Sequence, residues 1–352
     1  MRKTLALLAL VPLLGACGEP GASQEMQEGD GQANAPGTEA PDQPTERGDM
    51  APDESGTVYT PGINPEGSPN PNAPIGTDPQ PQPDEPEGDG EMDIEAILEG
   101  DWRTDEERAR DQYRHPAETL AFFGLEPDMT VVEVWPGGGW YTKVIAPYLA
   151  EGGGTYYAAG FDPEADSQYM KDGLQRFRET FVEDEDTYGD VNMSVLAADK
   201  IDVAPAGSAD MVLTFRNVHN WVMNGFAEDA FAGFYEALKP GGVLGVVDHR
   251  LPEDADDAME RSSGYVKVST VRDLAESAGF EYLGSSEANA NPQDDADHPF
   301  GVWTLPPTSR TSGSDGAAPA DFDPEEYAAI GESDRFTLKF QKPLAADGAL
   351  ME

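Results

Sequence analysis

The amino-acid sequence predicts an α/β domain with a doubly wound sheet of seven strands, the last of them antiparallel. Short apolar segments alternate with amphipathic helical segments over most of the second half of the chain, a pattern typical of parallel strands joined by crossover helices. No such helical segment is predicted between the last two strands, so the final strand is predicted to insert antiparallel. A glycine-rich turn over residues 133–139 directly follows the first strand.

The predicted strands are short apolar runs rich in β-branched and aromatic residues and bounded by turn-forming residues. In chain order they cover residues 130–134, 155–161, 191–196, 210–215, 243–247, 280–283 and 335–340. The predicted helices cover residues 105–124, 140–149, 169–177, 230–238 and 268–279. The first helix breaks at His115 and restarts with Pro116 at its first position. Residues 239–242, Lys-Pro-Gly-Gly, are a stop signal for the fourth helix.

Residues 1–16 are typical of a secretory signal peptide. Arg2 and Lys3 give a positive start, and residues 5–14 form an apolar run too short to span a bilayer as a stable helix. Residues 14–17 also resemble the lipobox of bacterial lipoproteins, in which the cysteine is lipidated. Cys17 is the chain's one cysteine, and an odd cysteine in an exported protein calls for an explanation. We therefore expect lipid attachment at Cys17; an ordinary cleaved signal is the alternative.

Residues 17–93 are predicted to form a disordered acidic linker, because Pro, Gly and polar residues dominate the segment and large apolar residues are scarce. Residues 94–345 form the predicted folded domain, and 346–352 a short tail. The formal charge of −46, from 22 basic and 68 acidic residues, argues against nucleic acid as a partner, since nucleic acid binds clustered Lys and Arg. A charge of this size favours solubility and is used by halophiles.

Polar residues follow six of the predicted strands. They are Glu133, Asp162, Asp199, and the segments 216–221, 248–250 and 286–291. Ligands bind doubly wound sheets outside the carboxyl ends of the strands. These residues are therefore predicted to surround one site.

The turn after the first strand has the residues of a ligand site. Gly137, Gly138 and Gly139 lack a Cβ, so the backbone can reverse tightly and approach a ligand closely. The free N–H groups at the start of the next helix suit a carboxylate, and Glu133 can accept from an amino group. Asp162, at the end of the second strand, is placed to accept from ribose hydroxyls.

Several stretches together resemble class I S-adenosylmethionine-dependent methyltransferases, and are most similar to a group of exported bacterial predicted methyltransferases. The stretches cover residues 131–142, 213–221, 238–250, 287–292, 297–299, 301–307 and 330–335, nearly the whole domain. The resemblance implies a Rossmann-like class I methyltransferase fold and the cofactor S-adenosylmethionine. It also implies cofactor roles for Glu133, Gly137, Gly139, Asp162 and Asp199, the last beside adenine. It implies no particular substrate.

Trp135 departs from the general pattern of this family, which has a glycine two positions after the acidic residue. A ring at this position can stack on or wall the cofactor, or it can block part of the usual pocket. We expect a reshaped pocket. Gly138, Arg216 and Asn217 are further candidates for cofactor contact.

Methyl transfer from a sulfonium needs mainly the alignment of two reactants, with a base where the acceptor must lose a proton. The candidate catalytic residues are His219, Asp248 and His249. Candidates for contact with the acceptor, which is expected to be a small molecule, share a place at the predicted strand ends and in the loop beyond them. They are Asn220, Trp221, Arg250, Asn289, Asn291 and His298.

Two other functions remain open at this stage. A metal-dependent hydrolase is one, because all four histidines fall in polar motifs; the short fixed ligand spacings of zinc sites are absent from the sequence, so no metal ligands are assigned. A non-catalytic binding lipoprotein is the other, because the cofactor is made in the cytoplasm. Gly18, which follows Cys17, favours the outer membrane over the inner by analogy with known lipoproteins, so we expect a lipid-anchored protein of the cell envelope that faces the periplasm.

Overall fold

The computed structural model of the protein describes residues 93–313 and 316–344. The predicted signal peptide, the lipidation site at Cys17, nearly all of the predicted linker and the tail at 346–352 lie outside these residues. No helix within the described residues is both long enough and apolar enough to cross a membrane.

One mixed sheet of eight strands forms the centre of the domain. The strands of the described chain are β1 (Thr130–Val134), β2 (Thr155–Gly160), β3 (Val191–Ala197), β4 (Lys200–Asp202), β5 (Ala209–Phe215), β6 (Leu238–His249), β7 (Glu281–Ser286), β8 (Pro299–Val302) and β9 (Arg335–Gln341). Their order across the sheet is β4-β3-β2-β1-β5-β6-β9-β7, with β8 outside it. Strands β1, β2, β3, β5 and β6 are parallel, and β9 inserts antiparallel between β6 and β7. The predicted doubly wound sheet with an antiparallel last strand is confirmed.

The helices lie between the strands and before the first of them. They are α1 (Ile94–Leu98), α2 (Asp105–Arg108), α3 (Asp111–Arg114), α4 (Pro116–Phe123), α5 (Thr142–Gly152), α6 (Gln168–Phe177), α7 (Glu185–Tyr188), α8 (Val218–Asn224), α9 (Ala227–Ala237), α10 (Val268–Ala278) and α11 (Pro324–Ile330). The predicted break at His115 is present, because His115 has a left-handed backbone (φ 39°) and Pro116 begins α4.

Several short elements were not predicted, and they include α1, α7, β8 and α11 as well as β4 and α8. The sheet has an eighth strand, β4, which pairs antiparallel with the end of β3 and is only three residues long. The segment after β5, predicted to be a loop, begins the helix α8 at Val218 instead. Its buried residues, among them Val218 and Trp221, pack into the core, so tertiary packing stabilises a helix too short to be evident from periodicity.

Helices cover both faces of the sheet. Alternate residues of β1 point to opposite faces, so Val131 packs with the core under α4 and α5 while Val132 packs with the core under α8, α9 and α10. Phe123 and Ile145 are fully buried on the first side, and Phe231 on the second. Burial of each such side chain contributes about 1.5–3 kcal/mol. The two cores hold the carboxyl ends of the parallel strands at one edge.

Candidate functional site

A cleft opens at the carboxyl ends of β1 and β5. Its walls come from the turn after β1, the turn after β5 and the end of α3. The residues that line it are Arg114, Glu133, Val134, Trp135, Pro136, Gly137, Gly138, Trp140, Tyr141, Phe215, Arg216 and Asn217. Six of the nine predicted cofactor residues are in this set: Glu133, Trp135, Gly137, Gly138, Arg216 and Asn217.

The glycines of the turn have different tasks. Gly137 has a left-handed backbone (φ 62°), and a Cβ built there meets no atom within 4 Å; its bare face therefore borders the cleft. Gly139 (φ 82°) faces away from it, and a Cβ there would lie 2.1 Å from the ring of Phe181. Gly139 thus allows close packing of the turn against Phe181, while Gly137 leaves space for a ligand.

Glu133 is buried at the floor of the cleft. Its Oε2 accepts hydrogen bonds from the hydroxyls of Tyr156 (2.6 Å) and Thr142 (3.0 Å). Burial raises the pKa of Glu133 to about 7, although both hydroxyls act to lower it. Within the described residues Oε1 accepts no hydrogen bond, so this oxygen remains available to a donor in the cleft.

Arg114 is the opposite charge in the cleft, and the sequence analysis missed it. It ends α3 and is 3% exposed, with its guanidinium carbon 4.6 Å from the ring centre of Trp140. Nε donates to Glu332 at 3.0 Å, whereas Nη2 is buried and makes no hydrogen bond. A buried donor without a partner is costly. Arg114 therefore offers an unused donor to an anion.

Glu332 gathers three arginines from distant parts of the chain. Arg110 Nε (2.8 Å), Arg114 Nε (3.0 Å) and Arg335 Nη1 (3.0 Å) all donate to its carboxylate. Burial acts to raise the pKa of Glu332, but these arginines together with Arg216 outweigh it and hold the pKa well below its ordinary value. The group fixes the end of α3 against the start of β9.

Arg216 follows β5 in a left-handed conformation (φ 64°). Its backbone N–H donates to Val247 O at 2.7 Å, which fixes the turn. Its side chain is half-buried and lines the cleft. The guanidinium makes no hydrogen bond to any residue that the structure describes, in contrast to Arg114 and Arg335.

Trp135 also has a left-handed backbone (φ 48°), which suits a glycine better than a tryptophan. Its Nε1 donates to Leu196 O at the end of β3 (2.9 Å). Its ring packs on those of Phe161 (4.9 Å), Trp221 (5.8 Å) and Phe226 (6.0 Å). The ring therefore lies toward the ends of β2 and β3, where the sequence predicts the nucleoside end of the cofactor.

The three predicted catalytic residues lie together and are buried, and none of them is among the residues that line the cleft. His219 Nδ1 contacts Asp248 Oδ1 at 2.8 Å, and the rings of His219 and His249 are 5.1 Å apart. Both carboxylate oxygens of Asp248 accept from N–H groups, including those of the His219 and His249 backbones. Asp248 therefore holds the backbones of both histidines, and ligand atoms of these three residues lie within 4.8 Å of one another.

His249 has one ring nitrogen that is not held by a described residue, although the ring is a weaker base than an ordinary histidine. Its Nδ1 contacts Ser333 Oγ, and Nε2 has no hydrogen-bond partner in the described residues. Burial first, and then the charges of His219, Arg216, Arg335 and Arg114, hold the pKa of His249 well below its ordinary value. The ring is therefore neutral at neutral pH.

Asn217 joins the two turns that form the cleft. Its Nδ2 donates to Val134 O (2.9 Å) and to Trp135 O (3.3 Å). Asn220, in α8, is nearly buried and lies outside the set of cleft residues. Trp221 was predicted to contact the acceptor, but it is fully buried and packs in the core beside Phe234. Its size makes it a core residue once α8 turns it inward.

The other four residues that were predicted to contact the acceptor instead hold the long loop between β7 and β9 in place. Arg250 pairs with Glu287 and Asp334. Asn289 Nδ2 donates to the hydroxyls of Thr119 and Thr337, Asn291 Nδ2 to the carbonyls of Ile330 and Glu332, and His298 Nε2 contacts Asp294. A long loop needs its own polar clamps, and these side chains provide them. None of the four lines the cleft.

Asp162 and Asp199 lie outside the cleft. Asp162 Oδ1 accepts from Lys200 Nζ and from the backbone of Glu164, both at 3.2 Å; the backbone bond first, and then Lys200, lower its pKa. Its Oδ2 makes no hydrogen bond within the described part of the chain. Asp199 is exposed at the turn between β3 and β4, so the structure does not bring it to the other predicted cofactor residues.

Sequence reasoning also missed two aromatic walls. The rings of Tyr141 and Phe215 stack 3.5 Å apart at an interplanar angle of 9°, and Trp140 lies under Arg114. Periodicity assigned Tyr141 to a helix face and Phe215 to a strand end. The unusual sequence Arg114-His115-Pro116 was the signal that could have directed attention to α3.

No protein-family model matches the sequence, and no curated protein matches it. Among solved structures, the [4+2]-cyclase SpnF is similar, with 18% identity over 70% of this chain and 86% of that one and a TM-score of 0.44. A SAM-dependent methyltransferase from Aquifex aeolicus is 15% identical over 71% and 99% of the chains, TM-score 0.41. One from Mesorhizobium loti is 17% identical over 64% and 96%, TM-score 0.38. At such low identities the similarity concerns the fold alone, and the reactions named are those of the other proteins.

Proposed function

We propose that the protein is an S-adenosylmethionine-dependent methyltransferase acting on a small acceptor. One observation carries the proposal. Glu133, Arg114 and Gly137 line the same cleft, and a Cβ on Gly137 would meet no atom. Among the described residues, Glu133 keeps a carboxylate oxygen without a hydrogen bond, and Arg114 keeps a guanidinium nitrogen without one. An α-amino acid, which has both an ammonium and a carboxylate, matches this pair of charges.

The residues fit S-adenosylmethionine at its amino-acid end. Glu133 would accept from the ammonium group, and Arg114 Nη2 would donate to the carboxylate, which removes the cost of a buried unpaired donor. Asp162 would hold ribose hydroxyls through Oδ2. At the nucleoside end, Trp135 takes the position of the family's glycine, so its ring would wall this end of the cofactor.

When bound, the cofactor would supply an activated methyl group on its sulfonium. His249 would take the acceptor's proton at Nε2, since the ring is neutral and its Nδ1 is held by Ser333. Asp248 accepts from the backbone N–H of this histidine, and the ring of His219 lies beside its ring. The aromatic walls Tyr141 and Phe215 exclude water from the reacting groups.

Calorimetry of the full chain with S-adenosylmethionine and S-adenosylhomocysteine tests the proposal. Gly137→Ala should weaken binding at least about tenfold, because the new methyl group would enter the cleft. Gly207→Ala is the matched control, since Gly207 has nearly the same backbone (φ 63° against 62°) and an equally open position but lies outside the cleft. No heat from either ligand, in folded protein, would falsify the methyltransferase function.

We also propose that the protein acts in the cell envelope, held there by a lipid on Cys17. The support is the order of a positive start, an apolar run and small residues before Cys17. In cells that make lipoproteins, Cys17→Ser should move the protein from the membrane fraction to the soluble fraction. An unchanged distribution argues against the anchor.

A further inference from the structure

We propose that the methyl acceptor is a small anion, a carboxylate or a phosphate, bound by Arg216. This inference rests on the proposed function and names the class of its substrate. It starts from the charges that the fold brings to one side of the sheet.

Four arginines lie close together in a chain that is otherwise strongly acidic, and two of them, Arg114 and Arg216, line the cleft. Arg110, Arg114 and Arg335 share the carboxylate of Glu332, and the charge of Arg216 lowers the pKa of Arg114 and of Arg335. The group thus has four guanidiniums around one carboxylate. The chain contains 22 basic and 68 acidic residues, so such a surplus of positive charge is not a consequence of composition.

The cleft itself does not neutralise Arg216. Among the described residues that line it, Glu133 is the one carboxylate. That carboxylate is buried with its Oε2 held by Tyr156 and Thr142, and burial favours its neutral form. Arg216 therefore keeps a guanidinium, accessible from the cleft, that no described side chain satisfies.

The cofactor does not supply the missing charge. S-adenosylmethionine has a sulfonium and an ammonium but only one carboxylate, so it brings more positive than negative charge into the cleft. Its carboxylate can pair with the free donor of Arg114. One guanidinium remains, and a planar guanidinium is well suited to two-point binding of a carboxylate or phosphate.

The position of Arg216 favours the acceptor as the source of this anion. Arg216 lies directly after β5, and its backbone N–H donates to Val247 O, two residues before His249 on the neighbouring strand β6. An anion held by Arg216 would offset positive charge that, after burial, weakens the proposed base. The anchor and the proton acceptor would then act on the same small molecule.

Thermal unfolding of the full chain tests this inference, with S-adenosylhomocysteine saturating and ionic strength held constant by chloride. Inorganic phosphate and succinate are the probes. At least one should raise the melting temperature of the wild type, and Arg216→Gln should weaken its apparent affinity about tenfold or more. Arg216→Lys should retain part of the response. At position 216, glutamine and lysine adopt the same left-handed backbone conformation as arginine, so neither substitution adds backbone strain.

Arg272→Gln is the matched control, because Arg272 is an exposed arginine on α10 that pairs with Glu276. It should respond as the wild type does. A response to phosphate alone or succinate alone identifies which anion the site takes. No response of the wild type to either probe, or an equal response of Arg216→Gln, overturns the inference. Binding of S-adenosylhomocysteine without the probes is measured separately, so its loss would contradict the methyltransferase proposal and not the anion site.

Discussion

At the residue scale, Glu133 combines two opposed requirements. Its Oε1 must be available to a ligand, and its burial makes the charged form unfavourable. Because the pKa in the folded protein is about 7 and the ordinary value is 4.5, the folded state binds a proton more readily than the unfolded state. Its contribution to stability is therefore complete below pH 4.5 and is lost as the pH rises through about 7.

Glu133→Gln should remove this loss. Glutamine keeps an oxygen that can accept from Tyr156 and Thr142, and it has no charge to bury. We expect the variant to be about 1–3 kcal/mol more stable than the wild type at pH 8 and little different at pH 4, while its affinity for S-adenosylmethionine falls. Urea unfolding at the two pH values measures the first effect. A stability difference that does not depend on pH contradicts the argument.

The residues of the site divide according to what could be predicted from the sequence. The glycine turn and Glu133 were predictable, since a ligand-binding turn requires bare backbone beside a strand end. Asn289, Asn291 and His298 were assigned to the acceptor because they are polar residues in a motif-rich loop. Their partners come from α4, β9 and the rest of that loop, and a sequence does not reveal which polar group a side chain will meet.

For Trp135, too, the sequence did not reveal which groups its side chain would contact. Its departure from the family's glycine was visible in the sequence, and so was the choice between a reshaped and a blocked pocket. The position of the Trp135 ring is set by the carbonyl of Leu196, which accepts from the indole at the end of β3. The rings of Phe161 and Phe226 pack against it there. Those groups are distant along the chain, and only the fold brings them together.

At the element scale, length separates the predicted elements from the missed ones. The strands β1 and β9 and the helices α5, α9 and α10 have clear patterns of buried residues, and all were predicted to within a few residues. Strand β4 and helix α8 are three and seven residues long. Elements this short depend on their packing partners and leave little pattern of their own.

Arg114 was missed for a related reason, because it was assigned to a helix before the first strand. Its role depends on Glu332, more than two hundred residues further along the chain. The carboxylate fixes α3 against the segment that enters β9, and it holds Arg114 where this residue lines the cleft. The group around Glu332 therefore connects the helices before the sheet to its last strand and to the site.

Glu332→Gln should be strongly destabilising. The substitution leaves three buried or nearly buried guanidiniums without their common carboxylate, and we expect a loss of about 3–5 kcal/mol in the free energy of unfolding at pH 7. Affinity for S-adenosylmethionine should fall as well, since Arg114 is no longer held. Urea unfolding and calorimetry measure the two effects.

Glu326→Gln is the control for that experiment. Glu326 lies on the exposed surface of α11, close to Glu332 along the chain, and the change removes the same charge. Its stability should match that of the wild type. A loss below about 1 kcal/mol for Glu332→Gln, the size typical of exposed ion pairs, would show that the arginines find other partners.

At the scale of the whole molecule, the net charge of the chain and the charge of the cleft have opposite signs. The chain as a whole has a formal charge of −46, and like charges on a compact body repel one another. The cleft has the reverse excess, with Arg114 and Arg216 facing one partly neutralised carboxylate. An anionic acceptor is therefore repelled by the protein at a distance and attracted only within the cleft.

Added salt should have different effects on the repulsion among surface charges and on the attraction of an anion to the cleft. Raising potassium chloride from about 0.1 M to about 1 M shortens the screening length from about 10 Å to about 3 Å, which weakens the repulsion among surface carboxylates and should raise the melting temperature by several degrees. The same change should weaken the affinity of Arg216 for phosphate or succinate, because chloride competes and a half-buried guanidinium is still partly screened. Calorimetric scans and anion titrations over one salt series measure both responses.

A melting temperature that falls with salt would mean that attractive ion pairs outweigh the net repulsion. Anion affinity that rises in step with stability would mean that salt acts on the fold alone, with the cleft contributing no attraction of its own.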